Sequence, residues 1–453
     1  MSTRRDFLKL SAATGVVAGT MAGLNLPAVH AAQNNTLTLA LIGCGGRGTG
    51  AVVDALSVAN EFKLGPVKIV AMADVFENRL KGSYANLAGW CDENMPDSWG
   101  VTEDSCFVGF DAWRRAIDSL EPNGIVISAT PPVFRGMHFA YALEKGVNAF
   151  LEKPFAVDGP TQKAFLETVE KSEATNMKVG TGLMSRHCRA RQALKEKTEA
   201  GELGDIISLR AYRMHGPIGC HGTQADGEKD VPYQIRNFHS FLWASGGCFM
   251  DFYVHNIDEC CWMKGQWPVA AQAMGGTRMW GPEGQCQNFD HYGVEYTFPD
   301  GTKLWFQGRD VDNCWNQFRS YMHGTKGAAM ISDDSHSPHS AIWSNQAMEG
   351  KPTWEMSSRS PYQWEWVDLL TAIRQDQKFN VSRRSAMGNL AALMGRYASH
   401  TGQWVTQEFV LDHPVKLVDN IEGLTEDSVA PVSRGEDGLF PLPQPGKFGN
   451  NEF

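Results

Sequence analysis

The stretch LALIGCGGRGTG, residues 39–50, decides the reading of this chain. An apolar run that fits a buried strand ends at Ile42, and Gly43, Gly45 and Gly48 follow at the G-x-G-x-x-G spacing. Each glycine has a steric task. The first allows a tight turn, the second lets the backbone approach a pyrophosphate, and the third lets the next helix pack closely on the strand. The N-terminus of that helix then offers unpaired N–H groups to the phosphates, with Cys44, Gly46 and Arg47 completing the loop. In a chain with 46 glycines the spacing arises by chance often enough that its surroundings must carry the argument. AVVDALSVANEF has helical apolar spacing, and VKIVAMAD reads as a second buried strand ending on Asp74. A carboxylate there accepts hydrogen bonds from ribose hydroxyls and repels a 2′-phosphate, which favours NAD over NADP, with Arg79 as the opposing feature.

Further along, FDAWRRAIDSL reads as a helix, EPNGIVISATPP as a strand closed by a proline turn, GMHFAYALEKGV as a helix and NAFLEKPFA as a strand. Alternation of this kind predicts a doubly wound parallel sheet over residues 37–155. Ligands in such sheets lie at the carboxyl ends of the strands, so Thr130, Pro131, Glu152, Lys153 and Pro154 are expected to border the nucleotide. A second domain, 156–412, is expected to hold the strands IISLRAYRMHG, AAQAMGG and HYGVEYTFPDGTKLWFQGRD, with a hairpin turn at Pro299-Asp300-Gly301. Residues 413–453 read as an extended tail rich in Pro, Gly and Asp, without chemistry of its own.

Ahead of the glycine loop, STRRDFLK places Arg4 and Arg5 before Phe7 and Leu8, and a mildly apolar segment follows to Leu26. This is the pattern of a twin-arginine export signal over residues 1–31, with small residues suited to cleavage after Ala31. It predicts a periplasmic or otherwise exported protein that meets a membrane only through the signal. The net charge of −10 leaves no basic footprint for nucleic acid. The ten cysteines are scattered without a C-x-x-C pair and are expected to be free thiols. Asp258, Glu259, Cys260 and Cys261 would be spread around a helix axis, so no metal site is expected.

Oxidising a secondary alcohol needs a base for the hydroxyl proton beside the hydride acceptor. Lys153 is expected at a strand end next to the nicotinamide pocket, where desolvation weakens its hold on a proton. Asp251 and His255, four residues apart, would share one helical face and act together on a hydroxyl. Arg186, Asn237 and Trp243 are candidate substrate contacts, since Arg and Asn bond hydroxyls and Trp stacks on a sugar face.

The glycine loop, Asp74, Thr130-Pro131-Pro132, a helix opening near His138 and Glu152-Lys153-Pro154 together resemble the Gfo/Idh/MocA oxidoreductases. GGCFMDFYVHNID, residues 246–258, is similar to the second signature of that family, a Gly-Gly pair followed by Asp-x-x-x-His-x-x-Asp. The resemblance, from Leu37 to Trp404, implies a Rossmann domain plus an α+β domain with a large, mostly antiparallel open sheet. One face of that sheet would cover the nicotinamide, and the sheet would serve as the interface of a homodimer or homotetramer. It implies that Lys153 and His255 are the acid and base, that Asp251 orients substrate or histidine, and that His138 borders the cofactor. The implied activity is hydride transfer between a secondary hydroxyl of a sugar or polyol and a tightly bound NAD. The alternative is an NAD-dependent glycoside hydrolase working by transient oxidation; such enzymes place Tyr-x-x-His where this chain has Asp251-x-x-x-His255, and Tyr253 keeps that alternative open.

Overall fold

The computed structural model describes residues 36–217, 222–278 and 286–453. The twin-arginine segment lies outside the described residues. Six strands form the first sheet: β1 (Leu37–Ile42), β2 (Val67–Asp74), β3 (Cys106–Val108), β4 (Ile125–Ser128), β5 (Asn148–Leu151) and β6 (Val179–Thr181). They lie in the order β3-β2-β1-β4-β5-β6 and every pairing is parallel. All six residues of β1 are buried, as expected of a strand covered by helices on both faces. The chain changes direction across the sheet between β1 and β4, and the crevice at their carboxyl ends is where such sheets bind ligands.

The predicted boundary at residue 155 does not hold as a layer boundary. The helix Gly159–Glu173 and β6 extend the first sheet past it. The helix Pro361–Arg374 then returns to the same layer, stacking Trp366 on Phe150 with ring centroids 4.3 Å apart. Arg374 fixes that return by donating to the carbonyls of Leu64 and Pro66. Distance in the sequence hides this packing, because an apolar helix face does not say which sheet it covers.

The second sheet has nine strands: β7 (Ile206–His215), β8 (Ala270–Gly276), β9 (His291–Thr297), β10 (Lys303–Asp310), β11 (Gln317–Gly324), β12 (Gly327–Ser332), β13 (His339–Trp343), β14 (Trp354–Ser357) and β15 (Val405–Thr406). Their order is β14-β13-β12-β11-β7-β10-β9-β8-β15, antiparallel except where β7 meets β10. The predicted hairpin at Pro299-Asp300-Gly301 joins β9 to β10, with Gly301 at φ +84°. Helices Val254–Lys264 and Ser382–Thr401 cover the inner face, and Ile207 and Trp305 remain about half exposed on the outer one.

Residues 413–453 contain no helix or strand, yet they are not a loose extension. Val418, Leu424, Ala430 and Phe440 join a cluster with Tyr233, Phe241 and Trp243. At the end of the chain, Glu452 lies buried against Arg396 and His400. The tail therefore carries chemistry that its composition does not advertise.

Candidate functional site

The glycine loop leaves β1 through Gly43, whose φ of +92° and lack of a side chain let it lie against the backbone of Ala129 and Thr130. A Cβ at Gly48 would overlap the Gly43 carbonyl, so the helix Gly46–Glu61 sits as close to the strand as the third glycine permits. Gly45 is its N-cap and supplies no side-chain hydrogen bond, and Cβ atoms built at Gly45 or Gly46 would meet nothing within 4 Å. Free helix N–H groups facing open space suit an anionic pyrophosphate. Asp74 ends β2 and draws the crevice together, accepting from Cys44 N at 2.7 Å and Phe76 N at 2.8 Å. Burial pushes its carboxyl up, and those two amides work against the shift.

Arg47, in the first turn of that helix, pairs with Glu152 and donates to Glu365 at 3.0 Å, with Asp54 at 3.7 Å. Its guanidinium also lies 4.8 Å from the Tyr362 ring centroid. The glycine loop, the end of β5 and the returning helix are thereby tied at one point. Burial pushes the Asp54 carboxyl up to about 6, against the pull of Arg47.

Next to Glu152, the Lys153 ammonium donates to the Asp251 carbonyl and lies 3.3 Å from Asp251 Oδ1. The other carboxylate oxygen, Oδ2, is 2.8 Å from His239 Nδ1. Burial lowers the proton affinity of Lys153, partly offset by Asp251 and Glu152. Burial would raise the Asp251 carboxyl, but Lys153 and His239 outweigh it and hold the group ionised. Asp251 sits in a π-helical turn, Phe249–Tyr253, that leads into the helix Val254–Lys264, and such turns recur at functional sites.

His255 lies one turn on, buried, with its ring edge to face with His336 at 4.6 Å. Its Nδ1 has no hydrogen-bond partner. Burial, then His336, Lys153 and Arg213, push its pKa well down, so the ring stays neutral and offers a hydrogen-bonding nitrogen while resisting a proton. Asp251 and His255 lie on either side of the change from π-helical turn to α-helix, and each is engaged by different partners.

Residues 191–330 match the GFO/IDH/MocA C-terminal domain. Over that stretch the chain carries the C-terminal domain of the GFO/IDH/MocA proteins. It is 25% identical over 175 residues to inositol 2-dehydrogenase of Corynebacterium glutamicum, a stretch covering 38% of this chain and 50% of that protein. The chain thus spans about half the length of this relative. In fold it is similar to scyllo-inositol dehydrogenase from Lactobacillus casei, solved with NAD(H) and scyllo-inositol (TM-score 0.59, 18% identity, 82% of this chain and 99% of that one). It is also similar to aldose-aldose oxidoreductase from Caulobacter crescentus (TM-score 0.62, 17% identity, the same coverages).

Three predicted contacts belong to the interior instead. His138 is 1% exposed, packs on Trp113 and bonds Ser128 Oγ at 2.9 Å, and burial lowers its pKa to about 3. It braces β4 from below and does not border the crevice. Arg186 is consumed by a buried two-point pair with Asp258, at 3.0 and 2.6 Å. Trp243 is 1% exposed, donates to Gln234 at 2.7 Å and offers no face to a sugar. Asn237 is partly buried and donates to the Tyr233 carbonyl. Thr130 and Pro131 follow β4 at the crevice, and Arg135 ties that turn to the Pro154 carbonyl at 2.7 Å.

Sequence reasoning missed His336 and Arg213, and reached His239 only as part of the stretch Arg236–His239 ahead of the Gly-Gly pair. His239 is two residues from Asn237 and offered no spacing signal. Arg213 did: β7 turns Leu209, Ala211 and Arg213 inward, so an arginine falls where the strand period demands a buried side chain.

Proposed function

We propose that this protein is an exported, NAD-dependent oxidoreductase that acts on a secondary hydroxyl of a sugar or polyol. The observation that carries the reading is the meeting of Lys153, from the end of β5, with Asp251 beside an uncapped phosphate-binding helix. Gly43, Cys44, Gly45 and Gly46 would hold the pyrophosphate, and Asp74 the ribose. When bound, the nicotinamide supplies the acceptor for a hydride. Lys153 receives or shares the hydroxyl proton, Asp251 fixes the ammonium in place, and neutral His255 offers a hydrogen bond that orients the hydroxyl.

Arg79 donates to the Arg236 carbonyl at 3.2 Å and lies over the Phe76 ring, an arrangement that supports NAD over NADP. Asp74→Ala is expected to weaken NAD binding about tenfold by removing charged hydrogen bonds, measured by calorimetry; equal affinity would reject the ribose contact.

The glycosidase alternative loses its support, since Tyr253 is fully buried and donates to Asp310 at 2.9 Å. Export rests on Arg4 and Arg5, and Lys in place of both should keep the protein in the cytoplasm when cell fractions are compared. Self-association through the outer face of the second sheet, with Ile207 and Trp305, belongs to the same proposal. The activity is tested by adding inositols, aldoses and aryl glycosides to the NAD-loaded protein and following reduced nicotinamide. Net reduction supports the reading, and release of aglycone without it refutes it.

A further inference from the structure

The wall beside His255 contains a cation that makes no ion pair with a carboxylate among the described residues. Arg213 is 9% exposed. Its Nη1 donates to the Phe252 carbonyl at 3.0 Å and lies 3.3 Å from His336 Nε2, and its guanidinium lies 4.2 Å from the Phe318 ring centroid. Nε has no partner, and Nη2 makes no hydrogen bond to a described residue. The nearby carboxylates have other commitments. Asp310 takes the Tyr253 hydroxyl at 2.9 Å and has His215 Nδ1 at 3.4 Å, while Asp251 faces Lys153 and His239. Burial accordingly lowers the pKa of Arg213.

A cavity of about 730 Å³ opens against Arg213, His215, Phe318, Arg319 and His336. Arg319 is already paired with Asp333 at 2.8 Å, and Asp334 is the one carboxylate among the lining residues. Its lining residue His336 packs against His255, and Arg213 donates to the Phe252 carbonyl next to Asp251, so two lining residues adjoin the reacting groups. A buried charge without a partner is costly unless something completes it. Nε is buried, and Nη2 is the nitrogen left to donate a charge-assisted hydrogen bond to a carboxylate.

We propose that the substrate is a sugar acid, whose carboxylate docks on Nη2 of Arg213 while one of its hydroxyls reaches Lys153 and His255. The inference rests on the oxidoreductase reading for the hydroxyl, and on Arg213 and its cavity for the acid.

The test uses the full chain loaded with NADH and measures binding by calorimetry for glucuronate, galacturonate, gluconate, the methyl ester of glucuronate and glucose 6-phosphate. At least one acid should bind about 10–100-fold tighter than the neutral ester, the range expected of charged hydrogen bonds. Arg213→Met should bring that ratio close to one, and Arg213→Lys should restore only part of it. Ligand-free Arg213→Met should unfold no earlier than the parent, because it removes a buried unpaired charge. Equal binding of acid and ester, a preference that survives Arg213→Met, or tighter binding of the phosphate would each overturn the proposal. Binding and turnover fail separately. An acid that binds through Arg213 without ever reducing bound NAD refutes the oxidoreductase reading, whereas oxidation of neutral polyols with no preference for acids refutes the anion site alone.

Discussion

Lys153→Met lowers turnover by about 10²–10⁴-fold, the usual weight of a positioned acid or base, while nucleotide stays bound. Methionine keeps the length and apolar stem of lysine, so the end of β5 should retain its packing. What disappears is the ammonium that reaches the carbonyl and carboxylate of Asp251. His239 remains beside Asp251, but it touches the carboxylate on the other oxygen and does not take over the lysine position. The pH profile adds a second readout. Because burial lowers the pKa of Lys153, its neutral form becomes available below the ordinary lysine value of about 10.4. Alcohol oxidation by the parent should rise with pH across that range, and Lys153→Met should lose this limb. Wild-type turnover in nucleotide-loaded Lys153→Met would strip the residue of its assigned role.

The second large effect lies far from the crevice. Glu452→Ala should destabilise the fold by about 3–5 kcal/mol, the cost of removing one member of a buried ion pair. Arg396 is fully buried and donates to both carboxylate oxygens of Glu452, at 3.0 and 2.9 Å, and His400 lies 2.5 Å from one of them. Without Glu452 that guanidinium keeps only the carbonyls of Val157 and Gly246. Gly246 opens the segment that carries Asp251, so activity should fall along with stability. Replacing Arg396 and Glu452 together with methionines should recover much of the loss, since the stranded charge goes too.

The sign with pH follows from the carboxyl. Burial favours its protonation, but Arg396 and His400 prevail and hold Glu452 at about 2, below its unfolded value near 4.3. Its contribution is complete above the unfolded value and is lost as pH falls toward 2. Urea midpoints of the parent should therefore drop across that window more steeply than those of Glu452→Ala. Equal midpoints at neutral pH would refute the anchoring role of the tail.

Much of the first sheet was legible because buried parallel strands and glycine turns write themselves locally. Gly43 needs a positive φ, Gly48 has no room for a Cβ, and Asp74 stands at a strand end. The second sheet was legible through strand periodicity and the turn at Gly301. What escaped depends on partners distant in the chain. Arg186 and Trp243 look like sugar-binding residues until Asp258 and Gln234 are found against them. The helix around Trp366 reads as part of a second domain until Phe150 appears beneath it. Glu452 lies in a tail of low apolar content, and only the buried Arg396 explains it. His239 and His336 reach the site from a short helical turn and a loop, where no period marks which side chain points inward.

The central claim is that this crevice holds NAD and passes to it a hydride from a sugar carbon. The most direct test is mass spectrometry of the nucleotide released after incubating the NAD-loaded protein with sugars, sugar acids and polyols deuterated on carbon. The account predicts reduced nucleotide carrying deuterium from at least one of them, and label that accumulates about 10²–10⁴-fold more slowly in Lys153→Met. Nucleotide that stays oxidised and unlabelled with every compound, or a purified protein that fails to retain NAD at all, would contradict it.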